Sequence, residues 1–122
     1  MKHEAVTRKI IECAFKVHNK LGFGFLESVY QNALAIELSR AGLKVDKERR
    51  IVVQYDGQVV GDFNADMIVE DKIIVELKSL KEIHPIHEAQ VVNYLKATGM
   101  EVGLLVNFGE KVQIKRKVLN HH

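Results

Sequence analysis

The stretch Ala65-Asp66-Met67-Ile68-Val69-Glu70-Asp71-Lys72-Ile73-Ile74-Val75-Glu76-Leu77-Lys78 decides how this chain folds. Two apolar runs of strand character flank a polar turn, the pattern of a β-hairpin. The length of the turn sets the register. A two-residue loop, Glu70-Asp71, would pair Asp66 with Val75 and leave Asp66 and Glu76 on opposite faces. A three-residue loop, Glu70-Asp71-Lys72, pairs Val69 with Ile73 and sets Asp66 opposite Glu76. The apolar pattern agrees with the longer loop. Val69/Ile73, Met67/Val75 and Ala65/Leu77 then stack on one face, and Ile68/Ile74, Asp66/Glu76 and Asn64/Lys78 share the other. The three-residue loop is therefore the expectation.

Outward from this hairpin, residues 48–55 alternate with period two, with Ile51, Val53 and Tyr55 on one face. Asp56-Gly57 signals a tight turn into the strand 59–69. Towards the N-terminus, Val6, Ile10, Cys13, Ala14, Val17 and Leu21 recur every three or four residues, which predicts an amphipathic helix broken at Gly22 and Gly24. A second helix spans about 26–41 and ends at Gly42. Towards the C-terminus, Pro85 opens a helix over 86–98 that Gly99 closes. Residues 102–106 form a continuous apolar run, typical of a strand buried on both faces, and 111–118 form a last strand. The order α-α-β-β-β-α-β-β, a meander followed by a helical crossover, predicts an α/β (α+β) fold with a mixed sheet flanked by helices.

The 122 residues suit a single domain, 1–122, with its own core. A composition of 47% hydrophobic and 28% charged residues, with 8 Gly and one Pro, excludes a disordered or collagen-like chain. The one cysteine, Cys13, excludes a disulfide framework and a cysteine-rich zinc site, and its apolar helical face makes it a core residue. A net charge of +2 neither announces nor excludes a nucleic-acid partner. No apolar run has membrane-spanning length, and Met1-Lys2-His3-Glu4 lacks the apolar region of a secretory signal. A cytoplasmic protein without a membrane partner is the expectation.

The chemistry concentrates around Asp66, Glu76 and Lys78. Glu76 and Lys78, two apart in a strand, share a face. With Asp66 opposite, two carboxylates and an ammonium would form a Mg²⁺ site beside a water nucleophile. Glu-Leu-Lys by itself is an ordinary surface tripeptide in a chain this charged. The preceding Ile73-Ile74-Val75 is a buried-looking run, however, and charges placed there need a partner. Glu27 and Tyr30 share a face at the start of the second helix, where Glu27 also complements the helix dipole. Gln90 and Tyr94 form an i, i+4 pair with His87 on the same stripe. His84 and His87 alone, with no thiol nearby, make a weak case for zinc. Lys44, Lys47, Arg49 and Arg50, and Lys111, Lys115, Arg116 and Lys117, form two basic edges that either contact phosphates or face solvent. No Ser-His-Asp elbow, P-loop or dinucleotide fingerprint is present.

Gly24-x-x-Glu27-x-x-Tyr30, Ala65-Asp66, Glu76-Leu77-Lys78, Gln90-x-x-x-Tyr94 and Gly103-Leu104-Leu105-Val106-Asn107-Phe108-Gly109 occur here in the order of the GxxExxY protein family. The chain resembles that family over nearly its whole length. The family looks like a minimal branch of the PD-(D/E)XK nucleases, close to RecB-like members with a Gln-x-x-x-Tyr helix. The resemblance implies a restriction-endonuclease-like αβββαβ core, here with an extra N-terminal helix and C-terminal strand. It implies Mg²⁺ or Mn²⁺ held by Asp66, Glu76, Glu27 and the Leu77 carbonyl, and catalysis by these carboxylates with Lys78 orienting or deprotonating water. It further implies substrate positioning by Gln90, Tyr94 and Tyr30. Ala65 stands where the superfamily name has proline. The expected function is phosphodiester hydrolysis in nucleic acid, DNA favoured. The alternative is a catalytically silent nucleic-acid-binding or assembly module. With so little surface for reading bases, a homodimer or a partner protein would supply specificity.

Overall fold

A computed structural model describes residues 2–121. The elements are α1 (Glu4–Leu21), α2 (Glu27–Arg40), β1 (Val45–Tyr55), β2 (Gln58–Val69), β3 (Ile73–Lys78), α3 (Pro85–Thr98), β4 (Val102–Phe108) and β5 (Val112–Val118). The strands form one mixed sheet in the order β1-β2-β3-β4-β5. All neighbours are antiparallel except β3 and β4, which run parallel. That pair needs a crossover, and α3 supplies it. The α+β architecture is the one expected from the sequence.

In α1 the apolar residues fall on one stripe, whereas in α2 only Tyr30, Leu34 and Leu38, four apart, keep to the buried side and Ile36 stays exposed. Ile10, Cys13, Ala14 and Val17 of α1 and Tyr30, Leu34 and Leu38 of α2 are buried against Val75, Leu77, Leu104 and Val106 of the sheet. A smaller cluster, Ile51, Ile68, Ile74, Tyr94 and Leu95, fills the space between the sheet and α3. The two clusters cover opposite faces of β3 and β4, so every residue of β4 is buried. Close approach of α3 depends on Gly103, where a Cβ would stand 2.5 Å from Val91 Cγ1.

The decisive hairpin has the three-residue loop. Val69 pairs with Ile73, Ile68 with Ile74 and Met67 with Val75. Glu70 and Asp71 both take positive φ, 56° and 55°, and the Lys72 N–H closes the turn on the Val69 carbonyl at 3.0 Å. Asp56-Gly57, also at positive φ, makes the tight turn between β1 and β2.

Two details differ from the alternation read in the sequence. Ala65 does not stack with Leu77; it packs in the α3-side cluster with Ile51 and Ile68. The cause lies one step along: Glu48 has φ 57°, and the β1–β2 pairing skips Glu48–Asp66, so strict alternation is not carried through that point. Tyr55 does not continue the buried face of Ile51. It is 70% exposed, because the register shifts between Val53 and Gln54 and this end of the hairpin runs past β3, which pairs only with Met67–Val69.

Candidate functional site

Where the β2–β3 backbone pairing ends at Met67–Val75, side chains take over. The Asp66 N–H donates to Glu76 Oε1 at 2.9 Å, and the Leu77 N–H donates to Asp66 Oδ2 at 2.7 Å. Asp66 and Glu76 thus meet as the three-residue loop requires. Each gives one oxygen to a backbone N–H and keeps the other, Asp66 Oδ1 and Glu76 Oε2, without a backbone partner. Glu76 is only 4% exposed and Asp66 is half-buried. Burial disfavours both charges, and the Asp66 carboxylate further disfavours the charge on Glu76, while a side-chain hydrogen bond from Glu76 favours the charge on Asp66. The Glu76 carboxyl is pushed up to about 8, first by burial and then by Asp66. Asp66 is raised too, chiefly by burial, with the nearby Glu48 adding to the effect.

Lys78, half-buried at the end of β3, lowers both acids through its charge. Among the described residues it has no ion-pair partner, so the ammonium remains available. On α3, Gln90 Nε2 donates to Tyr94 Oη at 2.9 Å. The Tyr94 phenol is raised by burial and then by Glu76, which places it within electrostatic reach of the carboxylates. Phe63, Lys78, Ile86, His87, Gln90, Asn93 and Tyr94 line an open cleft of about 450 Å³ beside the pair. His87 is lowered by burial and then by Lys78, and the charge of Glu27 acts on it in the opposite sense.

The remaining residues of interest have different places. Glu27, exposed at the start of α2, stays outside the carboxylate pair. Among the described residues, no three His, Cys, Asp or Glu side chains gather to hold a metal. Leu77 is buried, with its N–H committed to Asp66. Tyr30 is fully buried, stacked on Phe108 with ring centroids 4.5 Å apart, and its hydroxyl donates to the Gly22 carbonyl at 2.6 Å and accepts from the Phe25 N–H. Direct contact with a substrate is closed to it; it anchors the loop 22–26. That loop is also tied to the residue after Lys78, since Ser79 Oγ donates to the Phe25 carbonyl at 2.7 Å. His84 caps α3 through Nδ1.

The first basic edge is largely neutralised. Arg50 forms a two-pronged pair with Asp62, Arg49 pairs with Asp46 and Asp71, and Lys44 pairs with Asp71. In the second, Lys117 pairs with Glu88 at 2.6 Å and Arg116 bonds the Lys2 carbonyl.

Three contributors escaped the sequence reading. Gln31 Nε2 donates to the Asp66 carbonyl at 2.7 Å and to Glu48 Oε1 at 3.1 Å, filling the gap in the β1–β2 ladder. Glu48 itself was hidden inside the run Lys47-Glu48-Arg49-Arg50, which reads as a basic edge. Asn107 holds the chain after Lys78, accepting from the Leu80 N–H and donating to its carbonyl, both at 2.9 Å. Only the last left a signal, an amide inside an otherwise apolar buried strand.

The pair suits a hard divalent cation. Both acids offer carboxylate oxygens, the groups Mg²⁺ and Mn²⁺ prefer, and a cation there would take the place of the proton that the two side chains share and offset the charge of Asp66 on the buried Glu76.

Comparison with known proteins bears on the family and the fold. The model of the PD-(D/E)XK nuclease superfamily matches residues 4–117. The fold is similar to the crystal structure of SSO0001, with a TM-score of 0.60 at 18% identity over 78% of this chain and 52% of that one. The chain thus spans about half the length of SSO0001. No curated protein matches significantly. No helix among the described residues is long and apolar enough to cross a membrane. The match over nearly all the chain settles the family: this protein belongs to the PD-(D/E)XK nuclease superfamily.

Proposed function

We propose that the protein is a metal-dependent nuclease that hydrolyses phosphodiester bonds, with DNA the favoured substrate, and that it is a GxxExxY-type member of its superfamily. The observation that carries this reading is the Asp66–Glu76 pair, with Glu76 buried and Asp66 half-buried, and a Lys78 whose charge acts on both and that has no ion-pair partner among the described residues. Asp66 and Glu76 would hold Mg²⁺ or Mn²⁺, with waters, substrate phosphate and the Leu77 carbonyl completing the set. When bound, the ion supplies charge stabilisation to the phosphate and acidifies water.

The chain's own groups do the rest. Lys78 orients the attacking water and counters phosphate charge, which needs no strong depression of its pKa. Gln90 and Tyr94, locked to each other, offer an amide and a phenol to the substrate backbone from α3. Glu27, exposed and with its charge acting on His87, would contribute from outside the carboxylate pair. Gln31 and Asn107 keep the catalytic strand segment in place on both sides. With the first basic edge neutralised by its own acids, a second copy or a partner protein would extend the binding surface.

The test is cleavage of DNA and RNA, single-stranded and duplex, with Mg²⁺ or Mn²⁺. Wild type is expected to cut, and Glu76→Ala and Lys78→Ala to lose about a hundredfold or more, while circular dichroism stays unchanged. Absence of cleavage on every substrate, or cleavage that survives both substitutions, overturns the proposal.

A further inference from the structure

The cleft next to Lys78 has a feature the chemistry of hydrolysis does not require: an exposed aromatic wall. Phe63 is 44% exposed, and its ring lies 5.7 Å from that of Tyr94 at 46°. The ring also rests over Gly61, where an added Cβ would meet Phe63 Cε2 at 2.8 Å. The glycine thus leaves room for the ring to occupy this position on the wall. Ile86, 64% exposed at the start of α3, supplies a second apolar surface. The polar lining consists of the Gln90 and Asn93 amides, the His87 imidazole and the Tyr94 phenol, Lys78 is its cation, and none of the described lining residues is a carboxylate.

An aromatic face, an aliphatic wall, amides at the edge and a cation match one nucleotide: a planar base, its hydrogen-bonding edge and its phosphate. Inside a duplex both faces of a base are covered by its neighbours, so a ring lining a cleft stacks most readily on a base that has left the helix or was never paired. Phe63 lines the cleft with its ring beside Tyr94 and over Gly61, so a base that enters the cleft can reach it.

We infer that this cleft seats an unpaired nucleobase stacked on Phe63, making single-stranded nucleic acid or an unpaired strand end the preferred substrate of the site. The inference rests on the nuclease reading only for the fate of the strand; the binding it describes needs no metal and no cleavage.

The test is done in EDTA. A single strand of about twelve nucleotides carrying 2-aminopurine, and its blunt duplex, are titrated with protein. The single strand is expected to bind at least about tenfold more tightly than the duplex, with quenching of the 2-aminopurine fluorescence. Phe63→Ala is expected to weaken single-strand binding about five- to thirtyfold and remove the quench, and Phe63→Tyr to restore both. Gly61→Ala, which displaces the ring without touching the charged groups, is expected to act in the same direction and serves as the test if Phe63→Ala does not fold. Equal affinity for duplex and single strand overturns the inference, as does binding and quench unaltered by both substitutions. Metal-dependent cleavage of duplex that ignores Phe63→Ala would overturn the inference and leave the nuclease. Phe63-dependent single-strand binding by a protein that never cleaves would sustain the inference and sink the nuclease.

Discussion

Replacing Glu76 by glutamine should stabilise the metal-free protein at alkaline pH, although it removes a residue central to the site. The reason is the direction of the proton linkage. Burial and the Asp66 carboxylate raise Glu76 from its ordinary 4.5 to about 8 in the folded chain. A folded-state pKa above the unfolded one means that folding takes up a proton. The stabilisation is then complete below about pH 4.5 and is lost as pH rises towards about 8. Asp66, also raised, adds to the loss in the same direction. Glutamine has the shape of the protonated acid. Its carbonyl can still accept the Asp66 N–H, and its amide can donate to the Asp66 carboxylate in place of the side-chain hydrogen bond that Glu76 makes there. The gap from 4.5 to about 8, at roughly 1.4 kcal/mol per pH unit, sets a ceiling of about 5 kcal/mol. Relaxation and water entry reduce such figures, so about 2–3 kcal/mol is expected. For a domain of this size that is on the order of 6–15 °C in Tm. The assay is thermal unfolding in EDTA from about pH 5 to pH 9, where the two proteins should start together and separate as pH rises. Saturating Mg²⁺ should then raise the Tm of the wild type and leave Glu76→Gln unmoved. Parallel pH profiles in EDTA, or equal stabilisation of both by Mg²⁺, would refute the reasoning.

Four further outcomes follow from the same geometry. Asn107→Ala removes a fully buried amide and strips the half-buried Leu80 N–H and carbonyl of their partner; urea unfolding should show a loss of about 1–3 kcal/mol. Gly103→Ala forces a Cβ to within 2.5 Å of Val91 Cγ1, and overpacking between α3 and β4 should cost about 1–3 kcal/mol, read as a lower urea midpoint at unchanged slope. Tyr30→Phe removes the hydroxyl that holds the Gly22 carbonyl and the Phe25 N–H. It should cost about 1–2 kcal/mol and speed limited proteolysis within residues 22–26, with the rest of the chain protected. Gln31→Ala should lower Mg²⁺ affinity through loosening of Asp66, measured by calorimetry, with a fall in Tm of only a few degrees, since one half-buried side chain is lost.

The parts of the fold that were legible in the sequence are those where one residue pattern admits one geometry. The hairpin at 65–78 could pair in two registers, and only one kept Val69, Met67, Ile73 and Val75 on a single apolar face; that register carries Asp66 to Glu76 as a consequence. The same logic gave the first helix, where Ile10, Cys13, Ala14 and Val17 are buried at the spacing the sequence shows, while the other two were marked by the residues at their ends. Legibility failed where the backbone leaves its regular state without a glycine to mark it. Glu48 takes a left-handed conformation inside a strand, an unusual place for a non-glycine residue. Nothing in Lys47-Glu48-Arg49-Arg50 signals that kink, and with it went Ala65's true neighbours and the role of Gln31.

The kink also shows why the site could be only half read. Asp66 sits in a strand, yet neither of its backbone groups serves the ladder at this step: its N–H goes to Glu76 and its carbonyl to Gln31. A strand residue released in this way can bring its carboxylate against a neighbouring strand's acid, and the cost of the lost ladder pair is met by two side-chain bonds. Spacing along the chain identifies the carboxylates, because they interrupt apolar runs where charge is costly. It does not identify the amides that hold them, because Gln31 and Asn107 are chosen by contacts far away in sequence, 35 and 27 residues from their partners. Tyr30 is the converse case. Its place in a motif beside Glu27 reads as chemistry, while its complete burial against Phe108 makes it the post on which the loop leading to Glu27 is hung. A motif residue can be indispensable to a site by fixing the backbone that carries the reactive group, and sequence spacing alone does not separate that role from contact with the substrate.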